Sequence, residues 1–309
     1  MTADTRAPLT KKGQRKLSKK EQIARSREGA KLKRERERRR RIRNRVLLAS
    51  GLTVAVAVTG TATVAGLWMK NREAQAGPEN MASDGILLSG DGSAVTATRT
   101  DRLEADDSPT PTVVDLSAGI PAIVAYLDFA DPSSTAFLTA NSDLESYLSG
   151  GYVTLELHPV ALVDTAAGDD YSVRAANALA CVAQYAPDSA YAVATAMAAA
   201  YPAADTDPPA DDALAILVQN AGVTEEHVAG CITDERFRPW VTRASAHAAS
   251  TGVPGTDLGP VTSAPVILVN GAPYTGDTSD ADAFTTFLSD QYTAQTSSDT
   301  ADGTTDTTQ

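Results

Sequence analysis

One stretch of this chain divides everything else. Val46 to Met69 is 24 consecutive residues without a charge. At about 1.5 Å rise per residue, a helix of that length spans a hydrocarbon core of about 30 Å. The flanks are opposite in sign. Residues 1–45 hold 19 Lys and Arg against 5 Asp and Glu, a net charge of +14, whereas residues 73–309 hold 6 against 34, a net charge of −28. The chain-wide net charge of −12 averages these two segments and describes neither. The pattern predicts a single transmembrane helix over 46–69, with Trp68 as an interface anchor. Positive-inside bias puts the N-terminus in the cytoplasm and the C-terminal part outside the plasma membrane. Ala74-Gln75-Ala76 has the small-x-small look of a signal-peptidase site. The long apolar run, the long preceding arm and the charges of Lys70 and Arg72 favour an uncleaved signal anchor.

The basic arm, 1–45, contains the run Lys33-Arg34-Glu35-Arg36-Glu37-Arg38-Arg39-Arg40-Arg41 and almost no apolar residues. It cannot bury a core. Its expected partner is the anionic headgroups of the inner leaflet. Nucleic-acid binding is not the expected role, because no aromatic residues interleave the charges and no reader fold accompanies them.

Beyond the membrane, residues 70–112 read as a linker with a possible edge strand at Gly85 to Gly92. A compact domain is expected over 113–292, with a disordered Thr/Ser/Asp tail over 293–309. Inside the domain, Ile120 to Phe129 is a continuous apolar run, as in a strand covered on both faces. Asp131 then stands as N-cap and Pro132 as first residue of a helix that runs to about Leu148. Tyr152 to His158 alternates as a strand. The Ala-rich stretch 171–249 has helical spacing broken at Pro187, at Pro202 to Pro209 and at Gly222, and predicts four or five short helices. Ala264 to Asn270 is a further β run, and Asn270-Gly271 is a hairpin signal. Ser279 or Asp280 caps a last helix carrying Phe284, Phe287 and Leu288.

A βαβ unit, a helical insertion and a ββα unit, together with three local motifs, resemble the DsbA-like thioredoxin-fold proteins of bacteria, of an actinobacterial type. The motifs are Asp128-Phe129-Ala130-Asp131-Pro132-Ser133-Ser134, the segment Tyr171 to Cys181, and Thr262-Ser263-Ala264-Pro265. The resemblance implies an α/β thioredoxin-like fold with an all-helical insertion at about 165–250. It also implies a cis peptide bond at Pro265. In that family the turn after the strand carries Cys-Pro-x-Cys. Here Asp131 stands at the first cysteine position and Ser134 at the second. Thiol–disulfide exchange needs a thiolate to attack and a second sulfur to resolve the mixed disulfide, and neither residue supplies one.

The expectation is therefore a redox-inactive, membrane-anchored protein that acts as a peptide-binding or chaperone-like module at the cell envelope, for an extracytoplasmic protein partner. The candidate peptide surface is Ala130, Asp131, Pro132, Ser133 and Ser134 with Ser263, Ala264 and Pro265. Cys181 and Cys231, the only cysteines, read as a structural disulfide. Two alternatives stay open. One is an oxidoreductase using Cys181 and Cys231 or a partner's thiols, and the other is a structural scaffold of an envelope complex. No cofactor or metal is expected. His158, His227 and His247 are scattered, and no Cys/His ligand spacing, phosphate-binding glycine loop or EF-hand occurs.

Overall fold

The computed structural model describes residues 75–113, 116–163, 170–201 and 207–302. The basic arm and the apolar run 46–69 lie outside the described residues. Among the described residues, no helix is long and apolar enough to cross a membrane.

The chain forms β1 (Ile86–Gly90), β2 (Val95–Ala97), β3 (Ala122–Leu127), α1 (Pro132–Ala140), α2 (Leu144–Ser149) and β4 (Thr154–Pro159). An all-helical insertion follows, comprising α3 (Tyr171–Tyr185), α4 (Ala190–Ala200), α5 (Asp211–Asn220), α6 (Glu226–Thr233) and α7 (Arg238–Ala248). Then come β5 (Val266–Val269), β6 (Ala272–Pro273) and α8 (Ala281–Asp302). The strands make one mixed sheet in the order β2-β1-β4-β3-β5-β6. β3 and β4 are parallel, as a βαβ unit requires, and the other neighbours are antiparallel.

Strand alternation gives the sheet two faces of different character. Ile123, Ala125 and Leu127 of β3 join Leu155 and Leu157 of β4 in the main core, which packs against Phe137, Leu148, Leu179, Trp240 and Phe284. Phe137 meets Phe284 edge-on, with ring centroids 5.0 Å apart, and this fixes α8 against α1. On the opposite face, Tyr126 and Leu268 belong to a smaller cluster with Val160, Ala248, Val253 and Val261. The hairpin between β5 and β6 turns at Asn270 and Gly271, both with positive φ (51° and 80°), as a type I′ turn demands.

The insertion's helices end near Pro187 and Gly222 as the sequence indicates, while the break between α6 and α7, at Asp234 to Phe237, carries no glycine or proline signal. Cys181 in α3 and Cys231 in α6 are joined by a disulfide with Cα atoms 5.8 Å apart. It clamps two helices of the insertion to each other. In the simple chain-entropy account, closing a loop of this size is worth about 4 kcal/mol.

Three features differ from the sequence reading. The helix expected to run to about Leu148 is two, α1 and α2, interrupted at Asn141 to Asp143. Residues 75–112 are not a linker with an edge strand. β1 is an interior strand between β2 and β4, and Met81, Ile86, Leu88 and Leu103 are buried. Asn80 donates from Nδ2 to the Ala183 carbonyl (2.8 Å), tying this segment to α3. The apolar residues are too sparse for periodicity to register, yet Met81, Ile86 and Leu88 are buried in the main core, with Leu87 and Val95 half-buried. The tail is also shorter than expected, because α8 continues to Asp302. No glycine or proline interrupts it before Gly303. Thr286, Thr293, Thr296 and Ser297 return their hydroxyls to carbonyls four residues back, so these polar residues satisfy themselves within the helix.

Candidate functional site

The site begins where β3 delivers the chain into α1. Asp131 holds an extended conformation (φ −90°, ψ 123°), and its Oδ1 accepts from the Ser134 N–H at 2.8 Å. This is a side-chain N-cap, and Pro132 follows where the helix needs no N–H. Ser134 is buried, and its Oγ accepts from the Asp128 N–H at 3.2 Å. Pro132 and Ser133 are exposed. At the two positions where the resemblance places thiols, one side chain is a cap and the other is a buried acceptor.

Asp128 lies under this turn, and sequence reasoning gave it no role. It is fully buried. Its Oδ1 accepts from the Ala130 N–H (2.9 Å) and the Ser172 hydroxyl (2.7 Å). Its Oδ2 accepts from the N–H groups of Leu162 (2.7 Å) and Val163 (2.8 Å). A buried carboxylate is tolerated when its lone pairs are filled in this way. One side chain thereby joins the turn, the segment leaving β4 and the first turn of α3.

The second half of the candidate surface arrives with β5. The Ala264–Pro265 peptide bond is cis. Val266 pairs with Tyr126 near the end of β3, so register carries Ser263, Ala264 and Pro265 to the end of the sheet from which the Asp131 turn departs. Ser263 is exposed, and Ala264 and Pro265 are half-buried. Among the described residues, the backbone N–H and C=O groups of Ser263 and Ala264 have no hydrogen-bond partner. The sequence's candidate residues thus gather at one end of the sheet. Cys181 and Cys231 belong instead to the helical insertion, where both are buried.

The other face of the sheet carries a second polar constellation. The β3–β4 register sets Tyr126 beside His158 and Val124 beside Glu156. The Tyr126 and His158 rings stack with centroids 4.3 Å apart. Gly85 leaves room for the imidazole, because a Cβ there would stand 2.6 Å from it. Glu156 Oε1 lies 3.5 Å from His158 Nε2 and accepts from the hydroxyls of Ser83 and Thr112. Burial alone would raise the Glu156 carboxyl, but His158 and the two hydroxyls outweigh it and hold the carboxyl down at about 2. Asp84 accepts from Trp240 Nε1 at 2.9 Å; burial raises its carboxyl despite that bond. The Tyr126 phenol is pushed up by burial and then by the charges of Glu156 and Asp84. The period-2 alternation of β4 signalled that Glu156 and His158 share a face, but nothing local named their partners. Among the described residues, no group of three or more His, Cys, Asp or Glu side chains is placed to hold a metal ion.

Three expectations follow. Asp131→Ala should destabilise the fold by about 1 kcal/mol, the usual effect of losing an N-cap. Asp128→Asn, which turns an amide NH2 toward N–H donors, should lose about 3 kcal/mol by urea denaturation. Equal losses would show that Asp128 is not the turn's anchor. Because the folded Glu156 carboxyl is depressed, its contribution is present above the unfolded value of about 4.3 and disappears as pH falls toward about 2. Stability should drop by about 3 kcal/mol across that window, and Glu156→Gln should flatten the drop. An unchanged acid profile in that variant would refute the assignment.

The thioredoxin family profile matches residues 117–290. No curated protein matches the sequence. Among solved structures, the reduced form of the disulfide bond oxidoreductase DsbG from Mycobacterium tuberculosis is similar at 21% identity. That match has a TM-score of 0.49 and covers 67% of this chain and 86% of that one. Oxidised DsbA from the same organism is similar at 22% identity and TM-score 0.49, over 67% of this chain and 92% of that one. BdbD from Bacillus subtilis is similar at 16% identity and TM-score 0.46, over 70% and 96%. With a profile match over more than half of its length and a βαβ–helical insertion–ββα sheet to carry it, the chain belongs to the thioredoxin family.

Proposed function

We propose that this chain is a membrane-anchored, DsbA-like protein of the cell envelope whose turn no longer exchanges disulfides and instead holds extended peptide segments. The observation that carries the reading is the pairing of a thiol-free turn with an unpaired backbone edge. Asp131 and Ser134 stand where the DsbA-like motif has cysteines, and both are already engaged, as a cap and as a buried acceptor. A carboxylate uses the helix N-terminal N–H groups as a thiolate would, but it forms no disulfide. The two cysteines of the chain are bonded to each other in the insertion. Beside the turn, Ser263 and Ala264 offer free backbone donors and acceptors. Strand addition to such an edge uses main-chain hydrogen bonds and needs no sulfur. The partner is then an extracytoplasmic protein presenting an extended segment.

Anchoring rests on the sequence. The uncharged run 46–69 suits a single span. The arm before it, at +14, suits the anionic inner leaflet and sets the N-terminus inside.

The redox half of the reading is tested by insulin reduction and by oxidation of a dithiol peptide with the full chain. Both rates should stay at the uncatalysed background, and Asp131→Cys/Ser134→Cys should raise them. Turnover by the unmodified chain that Cys181→Ser abolishes would overturn the reading in favour of an oxidoreductase.

A further inference from the structure

The sheet face opposite the main core encloses a cavity of about 250 Å³. Its lining includes none of Ala130 to Ser134 and none of Ser263 to Pro265, so it is separate from the candidate peptide surface. Drug-sized sites run to about 300–1,000 Å³, which limits this one to a small group.

Among the polar side chains that line it, four are each less than a tenth exposed: Asp84, Tyr126, Glu156 and His158. Each keeps an unused hydrogen-bonding atom. All the hydrogen bonds of Glu156 fall on Oε1, so among the described residues Oε2 has no partner. Asp84 bonds Trp240 through Oδ1, and its Oδ2 has only the His247 imidazole, at 4.0 Å. His158 faces Glu156 with Nε2. Its Nδ1 has no hydrogen-bond partner among the described residues. The Tyr126 hydroxyl likewise has no hydrogen-bond partner among the described residues. Two carboxylates, an imidazole and a phenol, each with an unused polar atom, therefore line a small space.

An inventory so rich in acceptors and negative charge matches a ligand that donates several hydrogen bonds and carries positive charge. A guanidinium is planar and prefers a bidentate carboxylate, whereas Glu156 and Asp84 each have one oxygen already engaged. An ammonium offers three diverging donors. The aliphatic part of the wall, with Val160, Val261 and Leu268, suits a short hydrocarbon body. We propose that this cavity binds a primary ammonium group carried on a short apolar chain. The group can come from a free alkylamine or from a lysine side chain.

Titration of the full chain with n-butylammonium, followed by calorimetry, tests this, with n-butanol as the neutral analogue of the same shape. The ammonium should bind saturably and at least tenfold more tightly than the alcohol. Glu156→Gln should weaken the ammonium at least tenfold while leaving the alcohol within twofold. Tyr126→Phe keeps the ring stacked on His158 and should weaken the ammonium about threefold; it decides the matter if the Glu156 variant fails to fold. A lysine derivative blocked at both backbone ends separates the sources. Binding comparable to butylammonium assigns a lysine side chain, and exclusion assigns a free amine. Equal affinity for butylammonium and butanol, or no saturable binding of either, overturns the proposal.

Discussion

A single buried carboxylate sets the geometry of this domain's candidate peptide end. Asp128 follows the last residue of β3 and is sealed from solvent. It is held by three N–H groups and a hydroxyl drawn from the turn, from the exit of β4 and from the helical insertion. An unpaired charge in that position would be strongly destabilising, so the three segments must meet there for the fold to form. The Asp131 cap and the first turn of α1 are then built on a fixed base, because the Asp128 N–H also reaches the Ser134 hydroxyl. The turn is over-determined by hydrogen bonds, none of which involves sulfur. A turn built in this way keeps its shape without thiols.

The sheet separates two chemistries. At the end of β3 the backbone of Ser263 and Ala264 is presented beside the turn, a setting for main-chain recognition. On the sheet face away from the main core, Glu156 and His158 alternate out of β4 and meet Tyr126 from β3. Ser83, Asp84 and Thr112 of the N-terminal segment close over them. Membership of the thioredoxin family establishes the scaffold, while activity depends on the side chains placed on it. Both places differ from a dithiol centre.

How much of this was legible in the sequence follows the range of the signals. Asp131 and Pro132 declared themselves because a cap and its target N–H lie three residues apart. Proline and glycine punctuation located the insertion's helix breaks near Pro187 and Gly222, and Asn270-Gly271 located the hairpin. Asp128 did not stand out, since its partners Leu162, Val163 and Ser172 are 34, 35 and 44 residues away. Asp84 and Trp240 are 156 residues apart and gave no local sign of each other. The segment 75–112 looked like a linker for the same reason: Met81, Ile86 and Leu88 are buried in a core built by elements far along the chain. The end of α8 was misjudged by composition, because Ser and Thr that bond back to carbonyls can prolong a helix their bulk composition argues against.

The central claim is that the thiol-free turn sits beside a backbone edge that takes an extended peptide. Amide hydrogen exchange of the full chain, with and without a saturating unfolded peptide that lacks cysteine, tests it directly. The account predicts slowed exchange at Ser263 and Ala264 on addition of the peptide, with the Asp131 turn following and the helical insertion unchanged. Protection confined to the insertion, or no change at Ser263 and Ala264 at saturation, would contradict it.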